Sequence, residues 1–395
     1  MQASRKDTDI YQLTLSRKPD AYSQYGTDAN ARQLGRALDR IVARAGPDIQ
    51  PLYSALDFSA ADGSTVASAL RQLSPAGYSA MFAASLDRER QISDIVTSGA
   101  LIAIVPQAGK EEGWRAFAVP FGGGFEQQGR DGIVGYDGSS YGLVFGAERP
   151  LADRPDVVLG FHGAFSHQTI DLKSPASGKG EINAFDLGLH ARYAEDPLAG
   201  TWLFGAARLG IEDASMDRRF GFNGYGGRGE ADWTGYSATI GVSGGYRWAL
   251  SDTVSVGPLA GLSFTRLSRP ELTEHGDGGR LSLETANLNS LRSSLGVEGS
   301  FNIPLESGST VKATLQTSWD HEFLKNELVQ DASFAGYPNA GFETRSRIGE
   351  RDAFRVEAGM SYDVNSDLTL GASIGSTLSR SGHDLSGKVS ATLRF

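Results

Sequence analysis

Two serines sit in patterns that could present a nucleophile. "GVSGG" at 241–245 and "GASIG" at 371–375 both match G-x-S-x-G, which readies Ser243 or Ser373 for attack on an ester only where the serine stands on a strand-to-helix turn. Both lie inside runs that alternate like strands, so neither is expected to act. "WDHEF" at 319–323 has His beside Glu but no second His, and the six His residues are scattered, so no metal site is expected. "GFNGYGGRG" at 221–229 is followed by no helix and is not read as a phosphate cradle. With no Cys in the chain, disulfides and thiolate sites are excluded. The expectation is a protein that is not an enzyme and uses no cofactor or metal.

A different chemistry is written in "DRERQ" at 87–91, which puts four charges, Asp87, Arg88, Glu89 and Arg90, at the middle of a helical stretch. The helix is expected to open with Ser74 as cap and Pro75 at its first position and to run to about Ser98. At ~1.5 Å per residue it is about 36 Å long, enough to thread a bilayer. Charges at its middle would cost several kcal/mol in total against hydrocarbon, so the helix suits a polar tube.

The rest of the chain must supply that tube. No 18 consecutive residues are apolar, which excludes a transmembrane helix but leaves a β-barrel open. The net charge of −10 argues against a nucleic-acid partner. "QASRKDTD" after Met1 has no apolar signal-peptide region, so an exported protein is expected to extend beyond this chain. Before residue 113 the pattern reads as one strand, "DIYQLTLSRK", then a helix after Asp28 that stops at Gly46, a second in "GSTVASALRQL", and the charged helix.

After residue 113 come twelve alternating runs, starting near Trp114, Ser140, Asp156, Glu181, Gly200, Trp233, Thr253, Leu281, Thr310, Asp352, Asp367 and Asp384. Most are nine residues or longer, the length of a tilted membrane strand. Tight turns follow the even runs; longer loops, such as "RRFGFNGYGGRGE", "RPELTEHGDGG" and "NELVQDASFAGYPNAG", follow the odd ones. That segregation describes an up-and-down outer-membrane barrel. An Arg192 or Arg247 facing lipid at the midplane would cost about 2 to 4 kcal/mol, so the charged face points to a wet lumen. Trp248, Trp319 and Tyr362 then read as interfacial girdle residues. The first and seventh runs, "WRAFAVPFGG" and "VSVGPLAGLSF", do not separate into two faces.

The lumenal set includes Asp186, His190, Arg192, Arg208, Glu212, Arg292, Glu298, Asp320, Glu322, Arg355 and Glu357. They are candidates to hold the helix through Asp87, Arg88, Glu89 and Arg90, the alternative being a solvated pore lining. An open sheet edge in lipid is costly, so the twelfth run must pair with the first. That puts the last apolar stripe, Val389, Ala391, Leu393 and Phe395, against lipid.

"YQLTLSR", "DANARQLGRALD", "LRQLSPAGYSA", "YGLVFGAERPL", "SLRSSLGVE", "WDHEF" and the terminal "ATLRF", in this order, resemble the C-terminal translocator of type V secretion autotransporters with the junction before it. The resemblance implies an all-β membrane fold: a 12-stranded antiparallel up-and-down outer-membrane β-barrel with an α-helix in the lumen and a short helical N-terminal region. It implies a passenger-like β end over 1–27, a helical junction over 28–73, a pore helix and linker over 74–113, and the barrel over 114–395. The implied function is to anchor and export an N-terminal passenger at the outer membrane of a Gram-negative bacterium. Implied partners are outer-membrane lipid, the barrel assembly machinery, periplasmic chaperones and the passenger, with the translocator a monomer. The terminal stripe then doubles as an assembly signal. Some relatives cut their pore helix at an Asn, but the pore segment here has none and Asn30 is expected outside the lumen. The alternative is a barrel with its own activity, a plugged porin or an esterase.

Overall fold

The computed structural model describes residues 2–7, 10–14, 17–102, 113–196, 199–305 and 309–395. Strands β1 (Gln2–Asp7) and β2 (Ile10–Thr14) pair as a hairpin where a single strand was expected. Four helices follow: α1 (Ala29–Ile41), α2 (Gln50–Asp57), α3 (Ser64–Gln72) and α4 (Gly77–Ile102). The Asp28 carboxylate accepts the Ala31 N–H at 2.8 Å and so caps α1. Ser74 and Pro75 lie in a turn just before α4, because the first helical hydrogen bonds run from Tyr78 to Pro75 and from Ser79 to Ala76. The return from α4 to the first barrel strand, expected over 100–113, falls mostly outside the described residues.

The remaining strands are β3 (Arg115–Gln127), β4 (Tyr136–Leu151), β5 (Arg154–Leu172), β6 (Gly178–Ala194), β7 (Gly200–Phe222), β8 (Tyr225–Ala249), β9 (Val254–Arg269), β10 (Leu272–Thr273), β11 (His275–Gly276), β12 (Leu281–Leu283), β13 (Ala286–Pro304), β14 (Thr310–Glu322), β15 (Glu327–Phe334), β16 (Phe342–Arg347), β17 (Asp352–Asp363), β18 (Leu368–Ser379) and β19 (Gly382–Arg394). Twelve of them, β3–β9, β13, β14 and β17–β19, form a closed antiparallel barrel. The ring shuts where β19 pairs with β3, from Gly382 opposite Gln127 to Arg394 opposite Arg115. Closure leaves no strand edge in the membrane, which is what allows a sheet to stand in hydrocarbon.

Alternation decides which face meets lipid. On β6 and β7, Leu189 is 68% and Leu209 70% exposed, while their neighbours His190 and Arg208 are buried. An apolar belt this extensive is stable only when covered. Among the described residues no helix is long and apolar enough to cross a membrane, so the strands do the crossing.

Tight connections gather at one end of the barrel and longer ones at the other, with one correction. "RRFGFNGYGGRGE", read as a loop, is the top of a long β7–β8 hairpin closed by Asn223 and Gly224, whose φ values of 46° and 77° make a two-residue turn of the primed kind. Phe220, Phe222 and Trp233 on its inner face are buried.

They are buried by a cap. At the loop end, α1–α3 and the top of α4 pack into one apolar core with the upper inner faces of the barrel strands and with the small sheet β10-β12-β15-β16. Leu34, Leu38, Leu52, Leu70, Leu281 and Phe334 are all at or below 1% exposure there. Each such side chain contributes roughly 1.5–3 kcal/mol on burial. The Asn30 side-chain amide completes the edge of β16, donating to the Arg345 carbonyl at 2.7 Å and accepting the Arg345 N–H at 2.9 Å.

Candidate functional site

The lumen is the site, and α4 divides it. Successive turns of α4 set Arg88, Glu89, Ile92, Ile95 and Val96 toward one wall, where all five are buried. The wall they meet is β3–β9. Its inner face carries Val119, Phe121, Val144, Ala164, Trp202, Phe204 and Leu259, which form an apolar cluster with Ile92, Ile95 and Val96. This is why the first and seventh runs resisted a two-face reading: their inward positions are apolar because a helix, not water, covers them.

Above that cluster lies a buried ionic knot. The Arg88 guanidinium donates to Asp186 at 2.6 Å and to Glu89 at 2.7 Å, with Glu212 at 3.5 Å. Glu89 also accepts from Arg208 at 2.6 Å and from the Ser237 and Thr239 hydroxyls at 2.7 Å each. Ser85 donates to Glu212 at 2.8 Å, and the Gln168 amide donates to the Ala84 carbonyl at 3.1 Å. Gly210 makes room for the knot: a Cβ there would collide with Asp186 Oδ1 and Ser237 Oγ.

Asp87 and Arg90 turn the other way and pair with each other at 3.1 Å. Across the lumen, long side chains bridge to the opposite wall, Arg90 toward Glu322 at 3.6 Å and Arg355 to Asp94. Thus Asp186, Arg208, Glu212, Glu322 and Arg355 reach α4. The other six lumenal candidates pair within the wall: His190 and Arg192 with Glu148 at 3.3 and 3.0 Å, Arg292 with Asp320 at 2.7 Å, Glu298 with Arg247 at 2.9 Å, and Glu357 with Lys388 at 2.8 Å. Sequence reasoning missed Ser85, Gln168, Ser237 and Thr239 as partners, because they are neutral, and Asp94, which lies one turn past "DRERQ". The inward alternation of β5 and β8 was the signal that could have found three of them.

Two further clusters fasten the cap. Glu274 accepts both arms of Arg218, at 2.9 and 2.7 Å, along with the Tyr78 hydroxyl at 2.9 Å and the Leu281 N–H at 2.7 Å. Near the start of the junction, the Tyr22 hydroxyl donates to Asp57 at 2.7 Å, Arg17 pairs with the same carboxylate, and Asp39 accepts the N–H groups of Tyr22 and Ser23. Burial, reinforced by the hydrogen bond to Asp57, holds the Tyr22 phenol well above the ordinary tyrosine range.

The enzyme-like patterns do not stand on strand-to-helix turns. Ser243 and Ser373 sit in mid-strand, and among the described residues neither buried hydroxyl has a hydrogen-bonding partner. His321 is held by Asp352 at 2.8 Å, and among the described residues no group of His, Asp or Glu is placed to hold a metal. The terminal stripe faces outward, with Val389, Leu393 and Phe395 at 57, 49 and 68% exposure.

The family description "Autotransporter beta-domain" matches residues 116–375. The chain belongs to that family. As an autotransporter β-domain it is a barrel of the Gram-negative outer membrane, with the loop end outside and the turn end toward the periplasm. An extracellular serine protease of Serratia marcescens is 25% identical over 358 residues, covering 87% of this chain and 32% of the relative. Outer membrane protein A of Rickettsia conorii is 24% identical over 276 residues, covering 65% of this chain and 13% of that protein. The chain therefore spans a third or less of the curated relatives named here. The translocator domain of the autotransporter NalP from Neisseria meningitidis shares the fold at a TM-score of 0.63 and 16% identity, covering 81% of this chain and 100% of that one. The β-domain of the Bordetella autotransporter BrkA matches at a TM-score of 0.53 and 19% identity, over 71% and 98%.

Proposed function

We propose that this β-domain anchors and exports a polypeptide joined to its N-terminal side. The observation that carries the reading is the path of α4: it leaves the extracellular cap, runs down the lumen and ends on the side where β3 begins. A chain arranged this way holds whatever precedes residue 17 outside while its barrel stays in the membrane. The knot at Arg88 and the bridges at Glu322 and Arg355 hold the helix once it is seated. The barrel supplies a hydrated conduit, breaks no bond and uses no cofactor. Periplasmic chaperones and the outer-membrane assembly machinery deliver it, the latter reading Val389, Ala391, Leu393 and Phe395, and the β-domain works as a monomer.

The test is display. The chain is produced behind a signal peptide and an epitope-tagged reporter. Protease added to intact cells should remove the tag while leaving the barrel, and a tag that stays protected until the outer membrane is broken would overturn the reading.

A further inference from the structure

The two walls of the lumen differ in kind. Opposite the gripping wall, the inward positions of β13 from Arg292 to Asn302, and of β14, β17, β18 and β19, hold glycine, alanine, hydroxyl, amide and charged side chains and nothing more apolar. Ser294, Thr314, Gln316, Ser373, Gly375 and Ser386 are representative. The charges there are matched locally: Arg292 with Asp320, Glu357 with Lys388, Arg355 with Asp94.

Between this wall and α4 the lumen is open. A cavity of about 120 Å³ lies there, lined by Gly375, Ser386 and Lys388, and one of about 110 Å³ adjoins it through Arg90, Asp94, Arg292, Arg355 and Glu357 and reaches round α4 to Phe204, Ser243 and Ser263 of β7–β9. A cavity of about 50 Å³ continues them toward the turn end past Gln316, and one of about 100 Å³ continues them toward the loop end, reaching Glu126 and His383. Each of the larger ones has room for on the order of ten waters. The row of cavities thus extends from Lys312 near the turn end to His383 beside the cap.

We infer that this polar half is the track for an extended polypeptide, the exported chain itself, while α4 occupies the gripping half. The inference rests on the export reading above. Because α4 ends where β3 begins, anything N-terminal to residue 17 that starts in the periplasm must share the lumen with α4's own segment. A passing chain of arbitrary sequence needs a wall that binds neither apolar side chains nor one sign of charge. The wall of β13–β19 meets that requirement, and the wall of β3–β7, with Val119, Phe121, Val144, Trp202 and Phe204 facing in, does not. Passage displaces the water and swings aside Arg90, Arg292, Arg355 and Lys388, whose stems are flexible.

The chain has no native Cys, so single thiols report cleanly. Ser294→Cys or Ser386→Cys on the track, and Ser166→Cys on the gripping wall, are combined with one Cys in a reporter stalled in transit by a folded block upstream. Under mild oxidation the track variants should give disulfide adducts about tenfold or more above the gripping-wall variants, as a tethered thiol within reach outcompetes one that is shielded. Equal adducts, or a preference for Ser166→Cys, in cells that display the unblocked reporter would overturn the inference and leave the export reading intact. Failure of the unblocked reporter to reach the surface would count against export instead. Small water-soluble thiol reagents applied to the folded protein give an independent reading: Ser294→Cys and Ser386→Cys, which line the two larger cavities, should label and Ser166→Cys, whose hydroxyl is buried, should not, and the reverse order would overturn the inference.

Discussion

At the scale of single residues, Arg88 is where the helix is most exposed to damage. The knot holds Arg88 and Arg208 against Glu89, Asp186 and Glu212, all of them buried. Arg88→Leu leaves three carboxylates facing one guanidinium, a loss of about 3–5 kcal/mol for a broken buried pair. The expected outcome is faster hydrogen exchange along α4, with the barrel still showing heat-modifiable migration on gels. Arg90→Leu removes a charge that is partly exposed to the lumen and should cost at most about 1 kcal/mol; an equal effect of the two changes would refute the division of α4 into gripped and wet faces. The sequence displayed the four charges of "DRERQ" but not which pair would be buried, since adjacent helical positions differ by about 100° of rotation and the deciding partners, Ser237, Thr239 and Gln168, are uncharged.

At the scale of elements, the junction is tied to the cap by protonation. The Tyr22 phenol donates to Asp57 and is held well above its ordinary range by burial and that bond. A group whose folded pKa is raised contributes stability that is complete below its unfolded value, about 10 for tyrosine, and is lost as the pH climbs above it. The cap should therefore melt at lower temperature as the pH is raised beyond about 10, with a flatter dependence in Tyr22→Phe. A pH profile unchanged by that substitution would refute the linkage. The same scale shows what the sequence could and could not disclose. Strands such as β6, where Leu187 and Leu189 alternate with Asp186 and His190, were legible because lipid and water sort side chains strictly. The top of the β7–β8 hairpin was not, because its glycines imitate a loop while Phe220 and Phe222 wait for helices that come from far earlier in the chain. Helix α2 was missed because eight residues hold barely two turns of periodicity, although Pro51 marked its first turn.

For the whole molecule, the ring and its contents depend on the last strand. Phe395 donates its N–H to the Trp114 carbonyl at 3.0 Å, but the residue is 68% exposed. If the stripe is read during assembly, Phe395→Ser should lower the amount of heat-modifiable barrel in the outer membrane far more than Leu385→Ser, an outward position of the same strand that is 55% exposed. Equal yields of the two variants would remove the signalling role. The barrel count and closure were legible from alternation and turn placement, whereas the cap was not, since its core joins α1–α3 to strand tops and to β10, β12, β15 and β16, which are too short and too far apart in sequence to announce themselves. The bed on which α4 lies is composed of neighbours in the chain, β3 to β9, so it exists in full on a curved trough that has yet to become a cylinder. Zipping β19 onto β3 is then what turns a helix lying in an open cradle into one that is enclosed all round. From that moment α4 can depart only lengthwise, dragging Arg88 and Glu89 out of their partners' reach.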